Sequence, residues 1–234
     1  GDGGLARADR GGRWHGRNLG TVGDFGCFSF HGTKDVVCGE GGGLVCRAPE
    51  DLRRAEVLRE KGTNRSQFLR GEVDKYTWVD EGSSWVASDV LAAVLRVQLG
   101  RVPQILSRKR ELAGRLTARL EPISNRVTLP GVWAGIETTW HLYPILVGPE
   151  VRDPMIAALR AEGIGATFHY VPLHSSPFGR TRLGYRAEDL PHTERVSASL
   201  LRLPLFAAMS DADLDDVATA TLKVVDRLLP RQTR

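Results

Sequence analysis

Apolar positions along the chain change rhythm several times, and each change predicts an element. Behind a Ser88-Asp89 start, Val90, Leu91, Val94, Leu95, Val97 and Leu99 recur at helical spacing. Pro103 predicts a bend, after which residues 105–120 continue as helix. The last helix begins at Asp211, with Leu214, Val217, Ala220, Leu222, Val225 and Leu228 on one side. An earlier helix spans residues 49–61, because Pro49, Glu50 and Asp51 suit a first turn and Leu52, Ala55, Val57 and Leu58 share a face. Strands are predicted at 27–30, 43–46, 138–147 and 165–171, and further helices at 153–162 and 194–201. Residues 1–23 show no period and read as loop, and residues 63–81 as a polar, aromatic excursion. The mixture predicts an α/β protein with a boundary near 105–122, taken as units 1–110 and 111–234.

Composition narrows the function classes. No apolar run approaches the length of a membrane span, so no membrane partner is expected. Cys27, Cys38 and Cys46 are odd in number and lack C-x-x-C spacing, which fits free thiols in a reducing cytoplasm and gives no support to a zinc site. The net charge of +4 is scattered among acidic residues, unlike the clustered basic face that nucleic-acid binding needs. A mild positive balance does suit a small anionic substrate.

The stretch from Phe25 to Cys46 carries the most chemistry. It sets Lys34 between a β-like run containing Phe28, Ser29 and Phe30 and a glycine-rich turn at Gly39, Gly41, Gly42 and Gly43. A lysine desolvated in an apolar bend can react as a neutral amine with a carbonyl; a lysine beside glycines can equally be a solvated surface group. The spacing fits neither a phosphate-binding P-loop, since Asp35 follows the lysine, nor a dinucleotide fingerprint. Ser29 can hydrogen-bond a phosphate or its own strand, and His31 can face a ligand or pack.

Ser29-Phe30-His31-Gly32-Thr33-Lys34-Asp35, followed by Gly39-Glu40-Gly41-Gly42, resembles the lysine motif of the DegT/DnrJ/EryC1/StrS sugar aminotransferases. The blocks at 59–68, 73–78 and 82–84, with Phe168-His169-Tyr170-Val171-Pro172-Leu173-His174 and Leu201–Phe206, resemble the branch that makes dTDP-4-amino-4,6-dideoxygalactose from dTDP-4-keto-6-deoxyglucose. The resemblance runs from about residue 16 to near the end. It implies an aspartate-aminotransferase-like (type I pyridoxal-phosphate) fold, here the C-terminal part of the large domain plus the small domain. It implies pyridoxal 5'-phosphate as cofactor, held by Lys34 as a Schiff base and by Ser29 and Ser84. His169, Tyr170 and His174, with His31, are then substrate contacts, and Arg65 and Arg70 candidates for the diphosphate. L-glutamate is the implied amino donor, a nucleotide sugar the acceptor, and a homodimer the working form. Lys34 stands near the start of this chain rather than the middle, so the first half of the family's large domain is expected to be missing. Asp2 is then the one candidate for the pyridine-nitrogen partner. A non-catalytic fragment or scaffold of the same fold is the alternative.

Overall fold

The computed structural model describes residues 11–230, so Asp2 lies outside the described residues. The chain divides into two compact units, one running to Ile105 and including Ala134–Thr138, the other comprising Leu106–Trp133 and the chain from Thr139 onward.

In the first unit, β1 (Arg13–Trp14) and β2 (Arg17–Asn18) form a hairpin where the sequence predicts loop. His15 and Gly16 make its turn at positive φ, 46° and 77°, the conformation that matches the twist of a tight hairpin. Two-residue strands in an arginine- and glycine-rich run leave no alternation to read. β3 (Phe25–Ser29) pairs antiparallel with β4 (Gly42–Cys46), placing Phe25 opposite Cys46 and Ser29 opposite Gly42. α1 (Pro49–Arg59) follows, with Pro49 in the first turn where its missing N–H has no helical partner to lose. α2 (Arg65–Leu69) is a single short helix within the polar excursion. α3 (Asp89–Gly100) starts where Ser88 Oγ accepts the Leu91 amide hydrogen at 3.3 Å, an N-cap. α4 (Val102–Leu120) begins three residues earlier than predicted, because Pro103 sits in its first turn instead of bending it. β5 (Ile136–Glu137) returns to pair with β1.

The second unit holds most of the core. Its sheet runs in the order β6 (Tyr143–Leu146), β8 (Leu200–Leu203), β7 (Thr167–Phe168), with antiparallel pairs. α5 (Pro149–Ala161) packs on α7 (Pro191–Ser199) and α8 (Asp211–Leu228), and α6 (Pro177–Leu183) lies between β7 and α7 in sequence. Leu112, Leu116, Leu120, Tyr143, Ile145, Met155, Leu159, Leu201 and Leu214 are fully buried together. The helix predicted over 194–201 stops at Ser199 and the chain turns into β8, where Leu201 and Leu203 face inward and Arg202 does not. A short apolar run reads equally as helix or strand until its sheet partner exists. The strand predicted over 165–171 contracts to β7 for the same reason: only Thr167 and Phe168 find partners on β8.

Candidate active site

The ladder of β3 and β4 continues past Ser29. The Phe30 amide donates to Gly41 O at 2.8 Å, Cys38 N–H to Phe30 O at 2.9 Å, and Gly32 N–H to Gly39 O at 2.9 Å. Gly39 closes this loop at φ 94°, a conformation that side-chain-bearing residues rarely adopt. Between these bonds the chain folds into a turn, with the Lys34 amide donating to His31 O at 2.9 Å. Lys34 is exposed on it. Of the two surroundings the sequence left open, the solvated one is observed: His31, Gly32, Thr33 and Asp35 form the turn of Lys34, Phe28 belongs to the strand before it, and Val36 and Val37 follow half-buried.

Ser29 is exposed at the end of β3, where its Oγ accepts the His31 amide hydrogen at 3.4 Å. His31 is held by its own turn. Its Nδ1 lies 3.2 Å from the Thr33 amide, which donates to it, and 2.9 Å from Thr33 Oγ1. Its Nε2 stands 3.4 Å from Glu40 Oε1. Thr33 and Glu40 were not singled out from the sequence; the two-residue spacing of His31 and Thr33 was the available signal.

The motif block around residues 59–84 folds as one hydrogen-bonded piece. Val79 and Asp80 amides both donate to Gly62 O, at 2.8 and 3.1 Å, Ser83 N–H donates to Leu58 O at 2.8 Å, and Thr77 N–H to Asn64 Oδ1 at 2.8 Å. Gly62 has φ 73° and no room for a Cβ against the Asp80 carbonyl. This framework bridges Ser84, which is exposed, to Glu60. Glu60 is buried and receives Arg65 Nη1 at 2.6 Å, while Arg70 forks onto Glu56 at 2.9 and 3.0 Å and reaches Glu72 at 2.6 Å. The hydrogen bonds it donates to Glu72 and Glu56 hold the Arg70 guanidinium firmly charged, and Arg70 holds the Glu72 carboxyl below its ordinary range. Both arginines proposed for a diphosphate are thus engaged with carboxylates.

In the second unit, His169, Tyr170 and Leu173 line a cleft of about 490 Å³ with His192, Val196 and Leu200. Tyr170 is 76% exposed and Leu173 86%, so this loop presents apolar surface outward. His174 is turned the other way. It is buried, with Nε2 3.1 Å from Glu194 Oε1, at ion-pair distance but without the alignment of a hydrogen bond. Burial, reinforced by the Arg202 charge, pushes the His169 imidazole below its ordinary value. Arg202 itself donates to Phe168 O at 3.0 and 3.2 Å and ties β8 to the start of the loop. Ser29, His31 and Lys34 thus share one turn, Ser84 stands on another loop of the same unit, and His169, Tyr170 and His174 belong to the second.

A profile of the DegT/DnrJ/EryC1/StrS aminotransferase family matches residues 6–222. The chain belongs to this family. It is 33% identical over 218 residues to the spore coat polysaccharide biosynthesis protein SpsC of Bacillus subtilis, covering 89% of this chain and 56% of SpsC. It is 28% identical over 225 residues to the dTDP-4-dehydro-2,3,6-trideoxy-D-glucose 4-aminotransferase of Saccharopolyspora spinosa, covering 94% of this chain and 57% of that enzyme. Among solved structures, the aminotransferase TlmJ of Streptoalloteichus hindustanus superposes with TM-score 0.80 at 31% identity, over 93% of this chain and 56% of TlmJ. The chain therefore spans little more than half the length of these relatives. Its fold is that of the type I pyridoxal-phosphate enzymes, and pyridoxal phosphate is the cofactor of the family. Among the described residues no helix is long and apolar enough to cross a membrane, and no group of three metal-ligating side chains converges.

Proposed function

We propose that this chain acts in pyridoxal-phosphate-dependent transamination of a nucleotide-linked 4-keto-6-deoxyhexose, turning dTDP-4-keto-6-deoxyglucose into dTDP-4-amino-4,6-dideoxygalactose with L-glutamate as donor. The observation that carries this reading is the exposed Lys34 amine on a closed turn, five residues beyond the exposed hydroxyl of Ser29. The residues present fit the cofactor: an amine for its aldehyde, a hydroxyl for its phosphate, and open space at Gly32, where a Cβ would meet nothing within 4 Å. The Saccharopolyspora relative, named for a 4-amination of a dTDP-linked keto-sugar, supports the substrate class.

Pyridoxal phosphate, when bound, supplies the electron sink that lets an amino group leave one substrate and join another. Lys34 would hold it, and the free amine of Lys34 would be the base that moves a proton at the carbon bearing the amino group. Ser29 Oγ accepts from His31 N–H and keeps its own O–H to donate to a phosphate oxygen. Ser84 is proposed as a further phosphate donor. Tyr170 and His169, on the exposed loop, are proposed to contact the sugar, and His174 to brace that loop from within through Glu194. A second copy of the chain is the proposed partner, supported by the exposed valines of α3.

The test is direct. The protein is mixed with pyridoxal phosphate, reduced with borohydride and mapped by peptide mass. The expected result is a label on Lys34, absent in Lys34→Ala, and glutamate-dependent loss of the visible band before reduction. Nuclear magnetic resonance of the product sugar then reads the C4 configuration. A label spread evenly over Lys61, Lys75 and Lys223, or none at all, overturns the assignment in favour of a non-catalytic scaffold of the same fold.

A further inference from the structure

We propose that His31 is a positioning residue for Lys34: a neutral imidazole, protonated on Nε2, whose Nδ1 accepts the Thr33 amide and so fixes the turn that presents the lysine. This rests on the reading of Lys34 as the cofactor-holding lysine. It differs from a substrate contact, the role the family resemblance implies for His31.

The geometry assigns the tautomer. The Thr33 amide approaches Nδ1 at 3.2 Å and can donate only to an unprotonated ring nitrogen. With Nδ1 unprotonated, the Thr33 hydroxyl at 2.9 Å is the donor in its contact with the same nitrogen. The ring proton is then on Nε2, which faces Glu40 Oε1 at 3.4 Å. Glu40 is 80% exposed at its side chain, so this outer contact orients the ring and contributes little energy. The inner contact matters more. It copies the side-chain-to-backbone bond that Asn and Asp make two residues on in Asx turns. Added to the Lys34 amide bond to His31 O, it ties down the peptide on either side of Thr33. The direction of the Lys34 Cα–Cβ bond is set before any cofactor arrives, which is the condition for a long flexible side chain to reach a reacting atom without first ordering its own backbone. Ser29 belongs to the same arrangement, since its Oγ accepts the His31 amide hydrogen.

Two variants separate positioning from binding. In His31→Asn the side-chain oxygen can accept the Thr33 amide as in an Asx turn; in His31→Leu nothing can. In the cofactor-free protein, nitrogen NMR of labelled histidine is expected to find Nδ1 unprotonated in the wild type. Amide exchange at Thr33 is expected to quicken about fivefold to tenfold in His31→Leu and to stay within about threefold of wild type in His31→Asn. The rate of borohydride-trapped labelling of Lys34 at limiting pyridoxal phosphate should follow the same order. An Nδ1-protonated ring, or equal exchange and labelling rates in wild type and His31→Leu, overturns the proposal, as does a Leu variant whose sole defect is a raised KM for the nucleotide sugar. A wild type that exchanges as expected but takes no label at Lys34 overturns the cofactor reading and leaves the turn assignment standing.

Discussion

His169 and His174 are five residues apart on one loop and meet opposite surroundings. His174 is buried against Glu194, whereas His169 sits at the cleft with Arg202 on its other side and no hydrogen-bond partner for its buried Nδ1. Burial first, then the Arg202 charge, disfavours the His169 imidazolium. Above the ordinary histidine value near 6.5 the ring is neutral folded or unfolded, and the associated stability is fully present. As pH falls below that value the unfolded chain takes up the proton first, and stability is lost until the lower folded value is passed. Proton NMR should find His169 titrating below the ordinary histidine value near 6.5, and His169→Gln should flatten the acid side of the Tm-against-pH curve. A His169 that titrates at or above that value would contradict this. At this scale the sequence identified residue types and spacing: Ser29, His31 and Lys34 were legible as a constellation. Their exposures were not. Whether Lys34 lies in an apolar bend or His174 faces inward depends on contacts such as those to Glu40 and Glu194 that spacing does not reveal.

Helix starts at Pro49, Asp89 and Asp211 were legible from local signals, whereas α4, α5 and α7 begin three or four residues before the predicted 105, 153 and 194. α8 opens with Ser210 Oγ accepting the Asp213 amide at 3.1 Å while the Asp213 carboxylate accepts Ser210 N–H at 2.8 Å, a reciprocal capping box. Ser210 Oγ–H also donates to the Asp213 carboxylate at 2.8 Å, and this bond, followed by the one from Ser210 N–H, holds the Asp213 carboxyl below its ordinary range. α8 buries Leu214, Val217, Val224 and Val225, so its start is coupled to the core. Ser210→Ala is expected to cost about 1 kcal/mol, read as a lowered Tm, with Ser210→Thr restoring most of it. Strands were less legible. β1, β2, β5 and β7 have two residues each, too few for a period to register; β1 and β2 pair across their own turn, while β5 and β7 exist through partners distant in sequence. β8 shows the same dependence: Leu200–Leu203 follows a helix without a break and becomes a strand by pairing with β6 and β7.

Across the whole molecule, burial is uneven. The second unit encloses Leu112, Leu116, Tyr143, Met155, Leu159, Leu201, Leu214 and Val225 almost completely. In the first unit, α1, α2 and α3 bury no residue fully, and Val90, Val94 and Val97 lie 74%, 44% and 65% exposed along one side of α3. Full burial of one such side chain contributes about 1.5 kcal/mol or more, so the first unit lacks a large favourable term that its sequence was patterned to provide. Hydrogen exchange of the chain is therefore expected to be fast throughout α3 and slow in α8 and β6, with the first unit opening well before global unfolding. Uniform protection across both units would refute this.

The sequence by itself determined the long helices, the glycine-rich turn and the close spacing of Ser29, His31 and Lys34. Each of these rests on residues close enough along the chain for period, cap or turn chemistry to act without help. Only the tertiary structure decided which short apolar runs became strands and which histidine faced its cleft. It also decided that Lys34 stands in the open on a turn held by His31 and Thr33. Those outcomes depend on burial and on which hydrogen bonds form, some between distant strands and some within one turn, and neither is settled until the chain has folded.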